Sequence, residues 1–189
     1  AATLRPIPAK PHYTFNLRDL SKVAQGVLRA KAAQLADKKA LLSLWWHEAL
    51  RTFCDRLVDN DDRSWLRQTL LDLGRVHWKS VGVKVADDDL APGRLVYAAF
   101  GTDPDDVVDR GSGRAYEAVA EAPTALPTLL QSYLDEYTTL IGPMPLVFFP
   151  DAIDHVCRLC RILTAPRGSA MLVGVGGSGK QSLTRFAAF

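Results

Sequence analysis

The sequence predicts an α/β protein that is mainly helical. Several stretches repeat apolar residues at steps of three and four, which is the period of an amphipathic helix. Near its end the chain has a short apolar run, Ala170–Val173, then the glycine-rich stretch Gly174–Lys180, then residues that can continue as a helix. A strand, a phosphate-binding loop and a helix start in that order are typical of α/β nucleotide-binding domains. We therefore expect a helical first part that leads into the opening of an α/β subdomain.

Composition narrows the class of protein. The 189 residues are 48% hydrophobic and carry a formal net charge of +2 from mixed acids and bases, so we expect no nucleic-acid partner. Apolar runs are shorter than the ~20 residues of a membrane span, and the N-terminus lacks a signal segment, so we expect no membrane partner either. The three cysteines make no paired framework. These features predict an intracellular protein.

The first part of the chain begins with a proline-punctuated connector over Ala1–Pro11. A helix is predicted to follow, with Asn16 as its N-cap and Asp19 three residues on. Its predicted apolar face consists of Leu17, Leu20, Val23, Val27 and Leu28. Arg18 lies in the first turn, and its spacing alone predicts a solvated surface charge. An arginine near a helix start can also reach a phosphate across a domain junction.

Two further helices complete a predicted small bundle. One covers Lys38–Val58, and the other runs from Asp62 to His77 after the acidic turn Asp59–Asp62. The predicted apolar side of the first is Leu41, Leu44, Trp45, Ala49, Phe53 and Leu57. The third helix keeps the same period at Trp65, Leu66, Thr69, Leu70, Leu73 and Val76. The acidic turn lacks the glycine and closing glutamate of a calcium loop, so we interpret it as a helix-capping turn.

The middle of the chain is less regular. Val81, Val83 and Val85 alternate like a short strand, and Leu95–Ala98 is a second candidate strand. Asp103–Gly113 is rich in turn residues, and we interpret Asp87–Asp89 as a solvated turn. A fourth helix is predicted at 126–140 and a fifth from Pro150 to Leu163. The predicted division is 1–78 as a helical subdomain, 79–142 as a connecting segment and 143–189 as the start of the next domain.

The loop at the end of the chain is the main candidate site. Its glycines allow backbone N–H groups to surround phosphate oxygens, and the lysine adds positive charge. The predicted phosphate-binding residues are Gly174, Val175, Gly176, Gly177, Ser178, Gly179, Lys180, Gln181 and Ser182. Gln181 stands where such loops place the Ser or Thr that ligates Mg²⁺, so Ser182 is the candidate metal ligand. Only nine residues follow Lys180, so we expect a fragment of a larger protein that lacks the catalytic half of the domain.

Three segments resemble a known family. They are Tyr13–Lys22, Trp46–Leu57 with its Trp-His-Glu and Asp-Arg-Leu groups, and His155–Leu183 with the glycine-rich loop. Together they are similar to the dynein heavy chains over nearly the whole chain. Their order resembles the AAA+ helical lid of the third module, a connecting segment, and the first strand, P-loop and helix start of the fourth. Glutamine after the lysine resembles axonemal (ciliary) dyneins.

The resemblance implies roles that spacing does not. Arg18 matches the lid arginine that touches nucleotide held by the preceding module, which reverses the surface-charge interpretation. Leu146, Val147 and Phe148 match the segment that packs near adenine. ATP or ADP is the implied cofactor, with Mg²⁺ as a candidate. The family is an ATP-driven microtubule motor with six AAA+ modules, of which the third and fourth are mainly regulatory.

The implied partners are the microtubule, through parts outside this sequence, the neighbouring AAA+ modules, and dynein intermediate and light chains. The implied location is the cytoplasm and the axoneme of cilia and flagella, within the cytoskeleton. We expect Gln181 to make turnover at this site slow. Two alternatives stay open: an unrelated P-loop NTPase or small-molecule kinase with a helical N-terminal extension, and a structural interaction module with a vestigial loop.

Overall fold

The structure is a computed structural model that describes residues 3–35, 37–85, 96–100, 116–119 and 121–189. The chain divides into two compact units, Ala1–Leu95 and Val96–Phe189. The described residues are mainly helical with one small sheet, which confirms the predicted fold class. The threefold division predicted from the sequence stays a prediction. Among the described residues, no helix combines the length and apolar character needed to cross a bilayer.

The first unit contains the three predicted helices. They are α1 (Leu17–Val27), α2 (Lys38–Phe53) and α3 (Asn60–Lys79). Short 3₁₀ turns lie at Ala32–Leu35, before α2, and at Cys54–Arg56, directly after it. The predicted second helix is therefore too long, because the backbone tightens at Cys54 and becomes extended at Leu57. The N-terminal segment, predicted as an extended connector, contains no helix over residues 3–11, but it turns back on itself through a bridge between Ile7 and Lys10 and is not extended throughout.

The buried faces of α1 and α2 differ from the predicted ones. On α1 the buried residues are Asp19, Val23 and Gly26, whereas Leu17 and Leu20 are exposed. On α2 the buried set includes Leu42 and Trp46, which the predicted stripe omitted. These errors share one cause. Helix α2 contacts both α1 and α3 and so buries more than one stripe, and α1 packs on α2 through Val23 and Gly26 and not through its leucines.

Helix α3 ends in a turn and not in the predicted strand. The N–H of Val83 donates to the carbonyl of Trp78 at 3.0 Å, and Gly82 between them has φ of +86°. Glycine adopts that left-handed conformation without the steric cost that a side chain brings. The chain therefore folds back and buries Val83 in the unit's core. Asp87–Asp89 lie outside the described residues.

The second unit combines a two-stranded sheet with three helices. Strand β1 (Val96–Ala98) pairs antiparallel with β2 (Glu117–Val119), with Tyr97 opposite Ala118. The strand predicted at 95–98 is confirmed over its described part, and Asp103–Gly113 lies outside the described residues. The helices are α4 (Ala122–Leu140), α5 (Pro150–Leu163) and α6 (Lys180–Ala188). Their core includes Leu126, Leu130, Tyr133, Val156, Leu159, Leu183 and Phe186.

The strand predicted at Ala170–Val173 is not formed. The segment has no helical or strand assignment, and Met171 and Val173 are exposed. A strand needs a neighbour whose backbone completes its hydrogen bonds. The described part of the chain places no such neighbour beside this segment, and the only pairing between named strands there is β1 with β2. The apolar residues of 170–173 therefore remain in solvent in this structure.

Candidate functional site

The glycine-rich loop has the backbone that its sequence predicts. Gly177 and Gly179 have φ of +76° and +73°, and α6 begins at Lys180 directly after the second of them. Both values lie in the left-handed region, which glycine adopts without the steric cost that a side chain brings. Alternation of this kind turns consecutive N–H groups toward a common centre, which suits an anion. The helix start adds partial positive charge at the same place.

The Lys180 ammonium lies inside the loop. It donates to the carbonyl of Gly174 at 2.8 Å, to the carbonyl of Val175 at 2.6 Å and to the hydroxyl of Ser178 at 2.9 Å. Three oxygens of the loop thus accept hydrogen bonds from the ammonium. A Cβ on Gly174 would lie 3.1 Å from Ser178 Oγ, so the loop is closely wrapped around the lysine at this point.

Helix α6 is anchored at its other face. Leu183 and Phe186 are buried in the core of the second unit, and the Leu183 N–H donates to the Gly179 carbonyl at 2.9 Å. Gln181 and Ser182 are the second and third residues of the helix. Gln181 is exposed and Ser182 is partly buried. The residues that follow the lysine therefore occupy the positively polarised end of a fixed helix.

The segment Leu146–Phe148 reaches the same helix. Leu146 and Phe148 are partly buried against the core, and the Phe148 ring lies 5.4 Å from the Phe186 ring, between centroids. Val147 between them is 76% exposed. The structure thus brings the predicted adenine segment and the predicted phosphate loop onto one helix, α6. It leaves Val147 accessible.

Arg18 lies in the first unit, at the second residue of α1. The Arg18 side chain is exposed, and the Arg18 backbone N–H donates to the Asn16 side chain at 2.9 Å. The Asn16 N–H in turn donates to the Asp19 carboxylate at 3.0 Å. The Asp19 N–H also donates to the Asn16 side chain, and this bond together with that from the Asn16 N–H to Asp19 forms a capping box, as the sequence predicted. The helix start that carries Arg18 is therefore fixed while its guanidinium is accessible.

A second support of Arg18 was missed from the sequence. Arg56 Nη1 lies 3.0 Å from the buried carboxylate of Asp19, and the same guanidinium donates to the carbonyls of His12 and Thr14 at 3.3 and 2.8 Å. Burial acts to raise the pKa of Asp19, but the Asn16 N–H and the Arg56 charge outweigh it and hold that pKa below its ordinary value. Arg56 belongs to the Asp-Arg-Leu group, Asp55–Leu57, through which the sequence resembles the dynein heavy chains. That resemblance was the one sequence signal for this contact.

The acidic turn before α3 holds the N-terminal segment. Asp59 occupies the N-cap position but makes no side-chain capping bond. Lys10 instead forms ion pairs with Asp59 and Asp62, and the Tyr13 hydroxyl donates to Asp62 at 2.9 Å. The hydrogen bond from Lys10 is the main cause that lowers the pKa of Asp62, and that from Tyr13 adds to it. The predicted helix-capping turn is therefore wrong in part, because α3 already begins at Asn60 and the carboxylates of Asp59 and Asp62 bind Lys10.

Helices α1 and α2 also meet at a buried acid. Glu48 is fully buried, and a Cβ added to Gly26 of α1 would overlap its carboxylate. Only glycine at that position allows the two helices to approach so closely. The Trp-His-Glu group carries this residue, so the resemblance signalled it, although its packing role could not be read from the sequence.

Two family models match the chain. The model described as "Dynein heavy chain, ATPase lid domain" matches residues 6–63, which include α1, α2 and the capping box. The model described as "P-loop containing dynein motor region D4" matches residues 144–189, which include the glycine-rich loop and the segment around Val147. Both candidate site regions therefore lie within dynein-specific matches.

The curated relatives agree with these models. Dynein axonemal heavy chain 1 of Homo sapiens is 42% identical over 185 residues, and that of Rattus norvegicus is 41% identical over 186, in each case 97% of this chain. "Dynein-1-beta heavy chain, flagellar inner arm I1 complex" of Chlamydomonas reinhardtii is 42% identical over 190 residues, or 98% of this chain. The chain spans about 4% of the length of each of these relatives. These matches favour the dynein interpretation over an unrelated kinase, and the chain belongs to the dynein heavy chain family, alongside its axonemal members.

Proposed function

We propose that this chain supplies a nucleotide-binding site of a dynein motor ring, at the start of its fourth AAA+ module, together with the lid of the third. The observation that carries the proposal is the position of the Lys180 ammonium, which three loop oxygens hold where a phosphate would bind. A lysine inside a glycine-rich loop at a helix start is suited to the β- and γ-phosphates of a nucleotide. ATP or ADP is the proposed ligand.

The adenine side of the proposed site is Leu146–Phe148. Leu146 and Phe148 pack on the core, so the backbone of the exposed Val147 is held at a fixed distance from α6. An apolar segment with an accessible backbone can cover a purine ring and hydrogen bond to its edge. We therefore assign this segment to the base and Gly174–Ser182 to the phosphates.

The lid side of the proposal rests on Arg18. Its guanidinium is exposed while Asn16, Asp19 and Arg56 fix the helix start beneath it. An arginine whose backbone is fixed in this way can donate two parallel hydrogen bonds to a phosphate. We propose that it contacts nucleotide bound by the preceding module of the same ring.

The parent protein is proposed to be an ATP-driven microtubule motor of the axoneme of cilia and flagella, within the cytoskeleton and cytoplasm. Its proposed partners are microtubules, the neighbouring AAA+ modules, and intermediate and light chains. The names of the relatives, which are axonemal or flagellar dyneins, support this assignment. We propose a regulatory role for the site described above, with slow turnover, because Gln181 replaces the residue that normally ligates Mg²⁺.

Magnesium is implied by the fold family, and the residues present fit it poorly. The first turn of α6 contains no acidic residue, and the described residues contain no group of three His, Cys, Asp or Glu side chains that could hold a metal ion. Gln181 offers an amide in place of a hydroxyl. Ser182 stays the predicted ligand, but it lies one residue further along the helix.

Lys180→Ala in the full heavy chain tests the nucleotide site. We expect the variant to lose nucleotide density at this loop in a cryo-EM reconstruction, because the ammonium is the main charge available to the phosphates. Microtubule-stimulated ATPase activity should persist. Arg185→Ala is the matched control, since Arg185 is an exposed cation on the same helix but outside the loop. Unchanged nucleotide density in Lys180→Ala would refute the site, and loss of all ATPase activity would refute the regulatory role.

A further inference from the structure

We propose that the glycine-rich loop Gly174–Lys180 binds its nucleotide without needing Mg²⁺, an inference that rests on the proposed nucleotide site. In this arrangement the side-chain amide of Gln181 donates directly to a phosphate oxygen, in the place where related loops use a hydroxyl and a metal ion. The ligand class is therefore the uncomplexed nucleoside di- or triphosphate. Three observations carry this inference: the position of Gln181, the charge around the loop and the position of Ser182.

Gln181 is placed to meet the phosphates. It follows Lys180 directly, at the second residue of α6, and the Lys180 ammonium already lies within the loop. Its side chain is exposed and makes no hydrogen bond within the described part of the chain. An amide offers two N–H donors and one carbonyl acceptor. Phosphate oxygens accept hydrogen bonds and repel a carbonyl oxygen, so the NH₂ group should face the ligand.

The charge around the loop suits an anion that carries no metal. The Lys180 ammonium lies within the loop, and the helix start of α6 adds partial positive charge at the same place. The sequence from Thr164 to Phe189 contains no aspartate or glutamate that would repel phosphate oxygens. Lys180 and the helix start can therefore offset part of the phosphate charge without a metal ion.

Ser182 does not replace the absent hydroxyl. Successive residues of an α-helix are rotated by about 100°, so a side chain one position later faces a different direction. Ser182 is partly buried, whereas Gln181 is exposed at the loop. Ser182, which carries the hydroxyl of the first helical turn, therefore faces a different direction from Gln181.

Difference binding on the full heavy chain tests the inference. Radiolabelled ADP bound by the wild-type motor minus that bound by Lys180→Ala gives the occupancy of this site, and the titration is run in excess Mg²⁺ and in EDTA. We expect the two dissociation constants for the wild type to agree within about twofold. Gln181→Thr, which restores a hydroxyl, should bind about tenfold more tightly with Mg²⁺ than in EDTA.

A second variant separates the amide from the metal. Gln181→Ala removes the donor and adds no metal ligand, so it should weaken binding by about tenfold in both conditions. Wild-type binding that is lost in EDTA, or Gln181→Ala binding equal to wild type, would overturn the inference while leaving the nucleotide site intact. No difference between the wild type and Lys180→Ala in either condition would overturn the proposed site itself.

Discussion

Asp19→Ala should loosen the start of α1 and with it the position of Arg18. The Asp19 side chain is only 5% exposed, accepts from the Asn16 N–H at 3.0 Å and pairs with Arg56 at 3.0 Å. Losing the capping bond costs about 1 kcal/mol. Losing the ion pair costs about 1–2 kcal/mol more. This is less than for a fully buried pair, because the Arg56 side chain is 31% exposed and keeps its backbone acceptors.

Hydrogen exchange measured by mass spectrometry on the intact motor can resolve this local effect. A loss of about 2–3 kcal/mol should reduce the protection of the α1 amides by roughly 30-fold to 150-fold, if they exchange by local opening. Amides of α5 and α6, in the other unit, serve as an internal reference and should exchange as in the wild type.

Two matched variants compare how much each contact of Asp19 contributes to the stability of the α1 start. Asn16→Ala removes the cap but leaves the Asp19–Arg56 pair, so the loss should be about 1 kcal/mol, or roughly fivefold in protection. Lys22→Ala removes a cation that lies 3.6 Å from the same carboxylate. Because the Lys22 side chain is 65% exposed, the protection of the α1 amides should change by less than about twofold. If Asp19→Ala lost no more protection than Lys22→Ala, the structural role assigned to the Arg56 contact would be incorrect.

Two other predictions concern the N-terminal segment and the loop. Lys10 lowers the pKa of Asp62 from its ordinary 3.8, so the stability from their contact is present above about pH 4 and lost as pH falls through the lowered value. Pepsin should therefore cleave segment 10–16 faster in Asp62→Asn than in the wild type at about pH 5, and this difference should shrink toward about pH 3. A ratio of the two cleavage rates that stays constant with pH would contradict the contact between Lys10 and Asp62. Ser178→Ala removes one of the three hydrogen bonds that the Lys180 ammonium makes within the loop, so nucleotide should bind roughly fivefold more tightly, while Ser178→Thr should leave affinity unchanged. Weaker binding by Ser178→Ala, measured by equilibrium dialysis, would show that this hydrogen bond does not compete with the nucleotide.

The sequence predicted correctly the features that depend on interactions between residues close together in the chain. The capping box at Asn16 and Asp19 involves residues three apart, and its geometry is the one expected from the pattern. The glycines of the loop likewise adopt the positive φ values that their position requires. In both cases the interacting groups lie within a few residues of each other, so neighbouring structure had little opportunity to change the outcome.

Contacts between distant residues decided the rest. The leucines of α1 gave a convincing apolar stripe, but the buried stripe contains Gly26 because the Glu48 carboxylate of α2 lies against it. The partner of Asp19 is Arg56, which a helical period cannot identify. Val83 is buried through a turn and not through a strand, because Gly82 reverses the backbone. The first two errors lie in assigning a partner, whereas the third lies in recognising the element, because the alternating valines form no strand.

The glycine-rich loop keeps a defined shape although the residues before it form no strand. Residues 170–173 form no β pairing with described residues, yet the loop has a defined shape because α6 holds it from the C-terminal side. Phe186 of that helix also contacts Phe148, beside the segment assigned to the base. One buried ring therefore links the proposed base and phosphate contacts. A shift of α6 along its axis would move both contacts together, so nucleotide binding should depend on the core beneath the helix as much as on the glycines.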